Sequence, residues 1–291
     1  MNQWGGKARG TLLGYKIFIF FIRKVGIRSA YFVLYFVALY YFLFLWKSNR
    51  AIYYYFRKRL DYRFIKSVIS VYRSYFTFGQ TLIDKIAISS GLRAKFTYEF
   101  DGIETLKKIL ADKKGGIFIS AHMGNFEIAP RFFADIDIDM QINVVSAYKA
   151  PNIIEEYLNT IKSDKSTEKF IFIKDDLSHV FEMNNALSDN ELICFTGDRY
   201  YEGSKTLEAD LLGKKAKFPM GTFLIASRLK VPVVFVYVMK ESNLHYHLYA
   251  REATVKHRDA QALLESYIQS VETMIEKYPL QWFNYFDFWK D

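Results

Sequence analysis

Gly115-Gly116-Ile117-Phe118-Ile119-Ser120-Ala121-His122-Met123-Gly124-Asn125-Phe126-Glu127 compresses a buried strand, a glycine turn and a helix start into one stretch. The apolar run Ile117–Ser120 has no alternation, so it reads as a strand covered on both faces. Gly124 punctuates the turn, and Phe126–Ala134 reads as a helix. Ligands bind outside the carboxyl ends of strands in α/β sheets, so this reading puts His122 at the mouth of the sheet.

The flanking sequence repeats the alternation. Strands are expected at Phe96–Phe100, Ile142–Ser146, Phe170–Lys174, Leu192–Thr196 and Val231–Met239. Leu244–Val255 alternates like an edge strand. Helices are expected at Ile103–Ala111, near 151–162, at 177–188, at Thr222–Leu229 and over 259–277. Strands alternating with helices define an α/β fold with a mixed, largely parallel sheet flanked by helices. Upstream, Tyr53, Phe56, Leu60, Phe64, Val68, Val71 and Tyr75 recur at three- and four-residue steps. They predict a helical segment over 50–90 that Gly91 stops.

The N-terminal part has a different character. Residues 1–66 hold 13 Lys/Arg and one acid, Asp61, a charge of +12; the other 225 hold 27 Lys/Arg and 30 Asp/Glu, a charge of −3. Ser29–Trp46 is an uncharged run of 18 residues with nine aromatics, near the lower limit for a membrane span, and Ile17–Ile22 is a shorter apolar stretch before it. Basic residues interleaved with apolar runs suit an anionic membrane surface and argue against a nucleic-acid partner. Residues 1–48 therefore read as a basic, hydrophobic membrane-anchoring segment, and 49–291 as one catalytic domain. Six Lys/Arg precede the long run and seven follow within residues 47–66, so charge leaves a single span and a monotopic anchor both open.

Cys194, the single cysteine, sits in an apolar run and reads as a small buried hydrophobe. His245 and His247 alternate on one strand face with no carboxylate completing a metal site, and His179 and His257 have no supporting context, so no metal is expected. Trp282 and Trp289 read as packing residues or groove walls.

His122 and Glu127 stand five residues apart, which is about 140° around one helix. They meet only if His122 precedes the helix and Glu127 lies in its first turn. A carboxylate on one ring nitrogen would fix the tautomer and leave the other to take a proton from an alcohol. Gly124 could bring backbone amides near a reacting carbonyl, and Asn125 could orient the turn or contact substrate. Asp198 ends the strand Leu192–Thr196 and faces the same cleft, with Arg199 beside it as an ion-pair partner or anion binder. Pro219 and Gly221 shape the entry to the next helix.

The block His122-Met123-Gly124-Asn125-Phe126-Glu127 resembles the HX4E motif of the lysophospholipid acyltransferase superfamily, and more narrowly that of the lipid A late acyltransferases. Thr196-Gly197-Asp198-Arg199, Phe218-Pro219-Met220-Gly221 with Val231-Pro232-Val233-Val234, and Tyr278-Pro279-Leu280-Gln281-Trp282-Phe283 with Phe288-Trp289 resemble further blocks of that family in order and spacing. Trp4-Gly5-Gly6 fits as well. The resemblance implies a membrane-associated acyltransferase of the bacterial inner membrane, its catalytic domain on the cytoplasmic face. It implies His122 and Glu127 as catalytic pair, and Gly124, Asn125, Asp198, Arg199, Pro219 and Gly221 on the substrate side. An acyl thioester, carried by acyl carrier protein or coenzyme A, would donate to a hydroxyl of a lipid acceptor, with no cofactor or metal. The acceptor could be lipid A-like, another glycolipid, an amino-acid lipid or a pigment lipid. A glycerophospholipid acyltransferase using acyl-CoA is the alternative, although its usual PEGTR-like block is missing. A departure from the family is that residues 132–198 contain no Arg; Lys149, Lys162, Lys165, Lys169 and Lys174 are their only cations.

Overall fold

The computed structural model describes residues 12–133, 141–146, 168–174, 176–201 and 203–289. Trp4-Gly5-Gly6, the helix expected near 151–162, and Lys149, Lys162 and Lys165 lie outside the described residues. Seven strands form the main sheet: β1 (Thr97–Asp101), β2 (Gly116–Ser120), β3 (Ile142–Ser146), β4 (Glu168–Phe172), β5 (Leu192–Thr196), β8 (Val233–Ser242) and β9 (His245–Glu252). Their order is β1-β9-β8-β2-β5-β3-β4. β8, β2, β5, β3 and β4 run parallel; β9 returns antiparallel beside β8, and β1 pairs parallel with β9. The alternating segment 244–255 is thus not the edge: β1 closes the sheet outside β9.

Every residue of β2 is buried. Ile117 and Ile119 join Ile193 and Phe195 in the core beneath α8 (Met220–Arg228) and α9 (Ala260–Lys277). Phe118 joins Leu192 and Cys194 in the opposite core, with α5 (Ile103–Ala111) and α6 (Ala129–Phe133). A strand with cores on both faces has no polar side to display, which is why its sequence is continuously apolar. α7 (Ser178–Ser188) leads into β5. An antiparallel ribbon of β6 (Thr206–Leu211) and β7 (Lys214–Pro219) has no counterpart in the sequence reading. Its two-residue turn, Leu212-Gly213, has positive φ at both positions (51° and 74°), the twist that tight hairpins favour.

At the N-terminal end, α1 (Leu12–Lys24), α2 (Ile27–Phe44), α3 (Trp46–Tyr54) and α4 (Phe64–Ala87) precede the sheet. The helical segment expected over 50–90 is broken at 60–63, where Asp61 takes φ 51°. The apolar stripe also slips. Phe56, Val71 and Tyr75 of the expected stripe are buried, but Phe64 is exposed, and α4 buries Ser67, Ser70 and Ser74 beside Val71 and Tyr75. Small residues on this face bring α2 close: a Cβ on Gly79 would lie 2.3 Å from Leu34 Cδ1. Tyr35 stacks on Phe76 at 4.4 Å, and α2 buries the stripe Ile27, Ala30, Tyr31, Leu34 and Ala38. Among the described residues α2 is the one helix long and apolar enough to cross a membrane. Gly91, at φ 89°, ends the helical run as expected.

Candidate active site

Ser120 and Thr196 form the last register pair of β2 and β5. The next residues keep the alignment, with Gly197 N donating to Ser120 O at 2.8 Å. His122 and Asp198 each follow two residues beyond that pair, and the sheet delivers them side by side. His122 Nδ1 lies 2.7 Å from Asp198 Oδ1, and His122 N donates to Oδ2 at 3.0 Å. Trp282 Nε1 and Asn284 Nδ2 also donate to Oδ2, at 3.3 and 3.2 Å. The Asp198 side chain is 2% exposed and that of His122 29%, so the carboxylate is sealed beneath a partly exposed imidazole. Against the cost of burial, the His122 imidazole and the Arg199 guanidinium hold the Asp198 carboxyl far below the usual carboxylate range. Burial and Arg199 lower the His122 pKa, and Asp198 only partly offsets them. The imidazole is therefore neutral at pH 7. With an ionised carboxylate on Nδ1, the proton sits there and Nε2 carries the lone pair.

Glu127 does not take the place expected beside His122. It lies in the 3-10 turn Phe126–Ile128, and its side chain, 64% exposed, pairs with Lys85 of α4. The intervening turn is the cause. Gly124 takes φ 56° and sits so close to β8 that a Cβ would meet Val238 O at 2.1 Å. The chain swings past β8 before Glu127 is reached, and the imidazole is already committed to β5. The amides of the turn are also spent: Met123 N on Ala121 O (2.7 Å), Gly124 N on Gln281 O (3.0 Å) and Asn125 N on Val238 O (2.7 Å). These three amides are thus engaged within the protein rather than turned to a reacting carbonyl.

Asn125 is buried and ties the turn together, its Nδ2 donating to Thr81 O at 2.9 Å and Tyr246 OH at 3.3 Å. Arg199 clamps the C-terminal segment: Nε donates to Asn284 Oδ1 at 3.2 Å and Nη2 to Phe283 O at 2.9 Å. Pro219 ends β7 opposite Thr206 and precedes α8 in extended conformation. Gly221 is exposed in the first turn of α8, with open space where a Cβ would stand. Trp282 packs and also holds Asp198. Trp282, Asn284 and Tyr267, whose hydroxyl donates to Ser120 O at 3.0 Å, were not read as site residues from the sequence. The signal for Trp282 and Asn284 was the block Gln281-Trp282-Phe283-Asn284 near the end of the chain; Tyr267, inside α9, gave none. His245, His247 and His179 bond to Thr97, Glu241 and the Lys174 amide. Among the described residues no group of three His, Cys, Asp or Glu side chains could hold a metal ion.

A buried carboxylate holding an imidazole at a strand end of a parallel sheet is chemically able to support proton transfer from a hydroxyl or water. The sequence profile of the bacterial lipid A biosynthesis acyltransferases matches residues 62–291, and the chain belongs to that family. A comparison with curated proteins finds no match.

Proposed function

We propose that this acyltransferase moves a fatty acyl group from an acyl thioester, carried by acyl carrier protein, to a hydroxyl of a lipid A-like or other glycolipid acceptor. The hydroxyl oxygen attacks the thioester carbonyl while His122 Nε2 takes its proton. The tetrahedral intermediate then expels a thiolate, which recovers that proton from the imidazolium. The observation that carries this reading is the Nδ1–Asp198 contact, which fixes the tautomer and stabilises the imidazolium as it forms. Asp198 is thus the positioning carboxylate. Glu127 stands at the rim on Lys85, where it keeps the turn against α4; its direct part in catalysis remains the family's implication.

The anchor supports an in-plane attachment at the cytoplasmic face of the inner membrane. α2 packs lengthwise on α4, from Tyr31 at Asp84 to Phe42 at Tyr72. A helix crossing the bilayer would carry α4, with Arg73 and the sheet beneath it, into the hydrocarbon. Lying flat, α2 can turn its exposed Phe32, Phe36, Leu39 and Phe44 to the lipid, and Phe64 and Ile65 of α4 are exposed to add to that contact. Residues 1–48 then anchor the catalytic domain 49–291.

The test is lipid mass spectrometry of cells lacking the gene and supplied with the wild-type chain or His122→Ala. One acyl mass added to a defined lipid by the wild type alone supports the reading and names the acceptor. Equal restoration by His122→Ala refutes it.

A further inference from the structure

A buried ionic cluster lies behind the catalytic turn. Asp84 of α4 is fully buried and accepts from three elements: Tyr31 OH of α2, Lys240 Nζ of β8 at 2.6 Å and Tyr246 OH of β9 at 2.5 Å. Lys240 Nζ also donates to Tyr31 OH at 3.2 Å and lies 5.3 and 5.0 Å from the Tyr31 and Tyr246 ring centres. Burial lowers the Lys240 pKa, with Asp84 opposing the shift. Apolar side chains of similar volume would often be as stable as such a pair, so stability alone is a weak reason for it.

The cluster reaches the site by two routes. Tyr246 OH accepts from Asn125 Nδ2 at 3.3 Å. The Lys240 backbone is bracketed by Gln281, whose Oε1 accepts from Lys240 N at 2.9 Å and whose Nε2 donates to Lys240 O at 2.7 Å. Gln281 O takes the Gly124 amide at 3.0 Å, and two residues on, Phe283 N holds His122 O at 2.9 Å. The turn carrying His122 is thus pinned from behind by groups bonded to the cluster.

We propose that Tyr31, Asp84, Lys240 and Tyr246 are positioning residues for the catalytic turn, and that Tyr31 makes the anchor helix a working part of the catalytic unit as well as a tether. The proposal rests on His122 being the base. Tyr31→Phe keeps the ring and its packing and removes one donor to Asp84. Tyr246→Phe removes a donor to Asp84 and the acceptor for Asn125, so its effect is larger.

The experiment uses the full-length chain, with two readouts. One is the initial rate of lipid acylation in cells lacking the gene, per membrane-bound protein. Losses of about threefold to tenfold for Tyr31→Phe and more than about tenfold for Tyr246→Phe are expected from a small misplacement of a base. They should appear at temperatures where melting curves show full folding. The other needs no substrate: the downfield proton signal of His122 Nδ1–H in micelles, identified by its loss in His122→Ala, should move or broaden in both variants. An unmoved signal with rates within twofold of wild type, and only the melting temperature lowered, overturns the proposal. Acylation that survives His122→Ala overturns the assignment of the base instead, and the proton signal then still decides whether the cluster positions the turn.

Discussion

His122 and Asp198 are 76 residues apart in the chain, and their Nδ1 and Oδ1 atoms lie 2.7 Å apart because β2 and β5 end in register. Asp198→Asn would leave the backbone in place. An amide can donate to Nδ1, which moves the ring proton to Nε2 and removes the base. A loss of about 10³–10⁴-fold in turnover is expected, with substrate binding retained. Asp198 also raises the His122 pKa, so the acid limb of the residual rate should move to lower pH. A pH–rate profile of the variant checks both; a wild-type rate would exclude Asp198 as the positioning carboxylate.

Arg199→Met predicts a limb moving the other way. The Arg199 charge lowers the His122 pKa, which lies below the ordinary 6.5, so its removal lets the pKa rise. Protonated, inactive imidazole would then persist to higher pH. The clamp on Phe283 and Asn284 is lost as well, and removing these charged hydrogen bonds from a half-buried guanidinium should destabilise the fold by about 1.5–3 kcal/mol. Denaturant melts measure the second effect, and the profile, taken on folded protein, measures the first.

Glu127→Gln separates the rim carboxylate from the buried one. An exposed ion pair contributes about 0–1 kcal/mol, so the melting temperature should barely change. Without contact to the imidazole, Glu127 cannot set its tautomer, and the acid limb should stay within error of wild type. A shifted limb would mean that Glu127 leaves Lys85 and reaches His122 during turnover.

The expected His122–Glu127 pair and the observed His122–Asp198 pair show where the sequence stops being legible. β5 was readable to the residue and β2 to within one, because strands covered on both faces are continuous apolar runs, and β3, half-buried over Val144–Ser146, was readable to the residue from its β-branched pair. Asp198 was also legible as a strand-end residue of the same cleft. Its partner depends on the register of two strands, which no local spacing encodes. β9 misled for a related reason: His245 and His247 sit at the sheet's end, near Thr97 and Glu241, and mimic the polar face of an edge. In β6–β7 the alternation of Leu207, Ala209 and Leu211 with Ala216 and Phe218 was present. Leu212-Gly213 lacks the usual Asn-Gly signal, and the ribbon went unread.

Gly124→Ala and Gly221→Ala should differ in sign. At Gly124 a Cβ meets Val238 O at 2.1 Å in the left-handed region, so a loss above about 2 kcal/mol and a displaced His122 are expected. At Gly221 the helix is unstrained and the space open, so alanine should stabilise by about 0.4–1 kcal/mol. Melting curves give both values. If Gly221→Ala is more stable yet slower, its open space is used by substrate; equal rates would leave Gly221 as helix punctuation.

The in-plane anchor predicts that lipid binding draws on α4 as well as α2. Phe64 and Ile65 are 65% and 70% exposed. Each contributes about 1.5–3 kcal/mol when its side chain is fully buried in an apolar phase. The double variant Phe64→Asp/Ile65→Asp should therefore lower co-sedimentation with phosphatidylglycerol-containing vesicles by about 100-fold or more. Neutral phosphatidylcholine vesicles should bind the wild type more weakly, since Lys47, Arg57, Arg63 and Lys66 each lose about 1 kcal/mol of attraction to anionic headgroups. Sidedness decides between attachment and crossing. Lys24→Cys and Lys47→Cys flank α2, and in-plane attachment keeps both from an impermeant thiol reagent added outside intact spheroplasts. Labelling of one flank and not the other would mean that α2 crosses the bilayer. Its contacts with Phe76 and Asp84 would then have to break in the membrane-bound protein, and Tyr31 could not serve the catalytic turn.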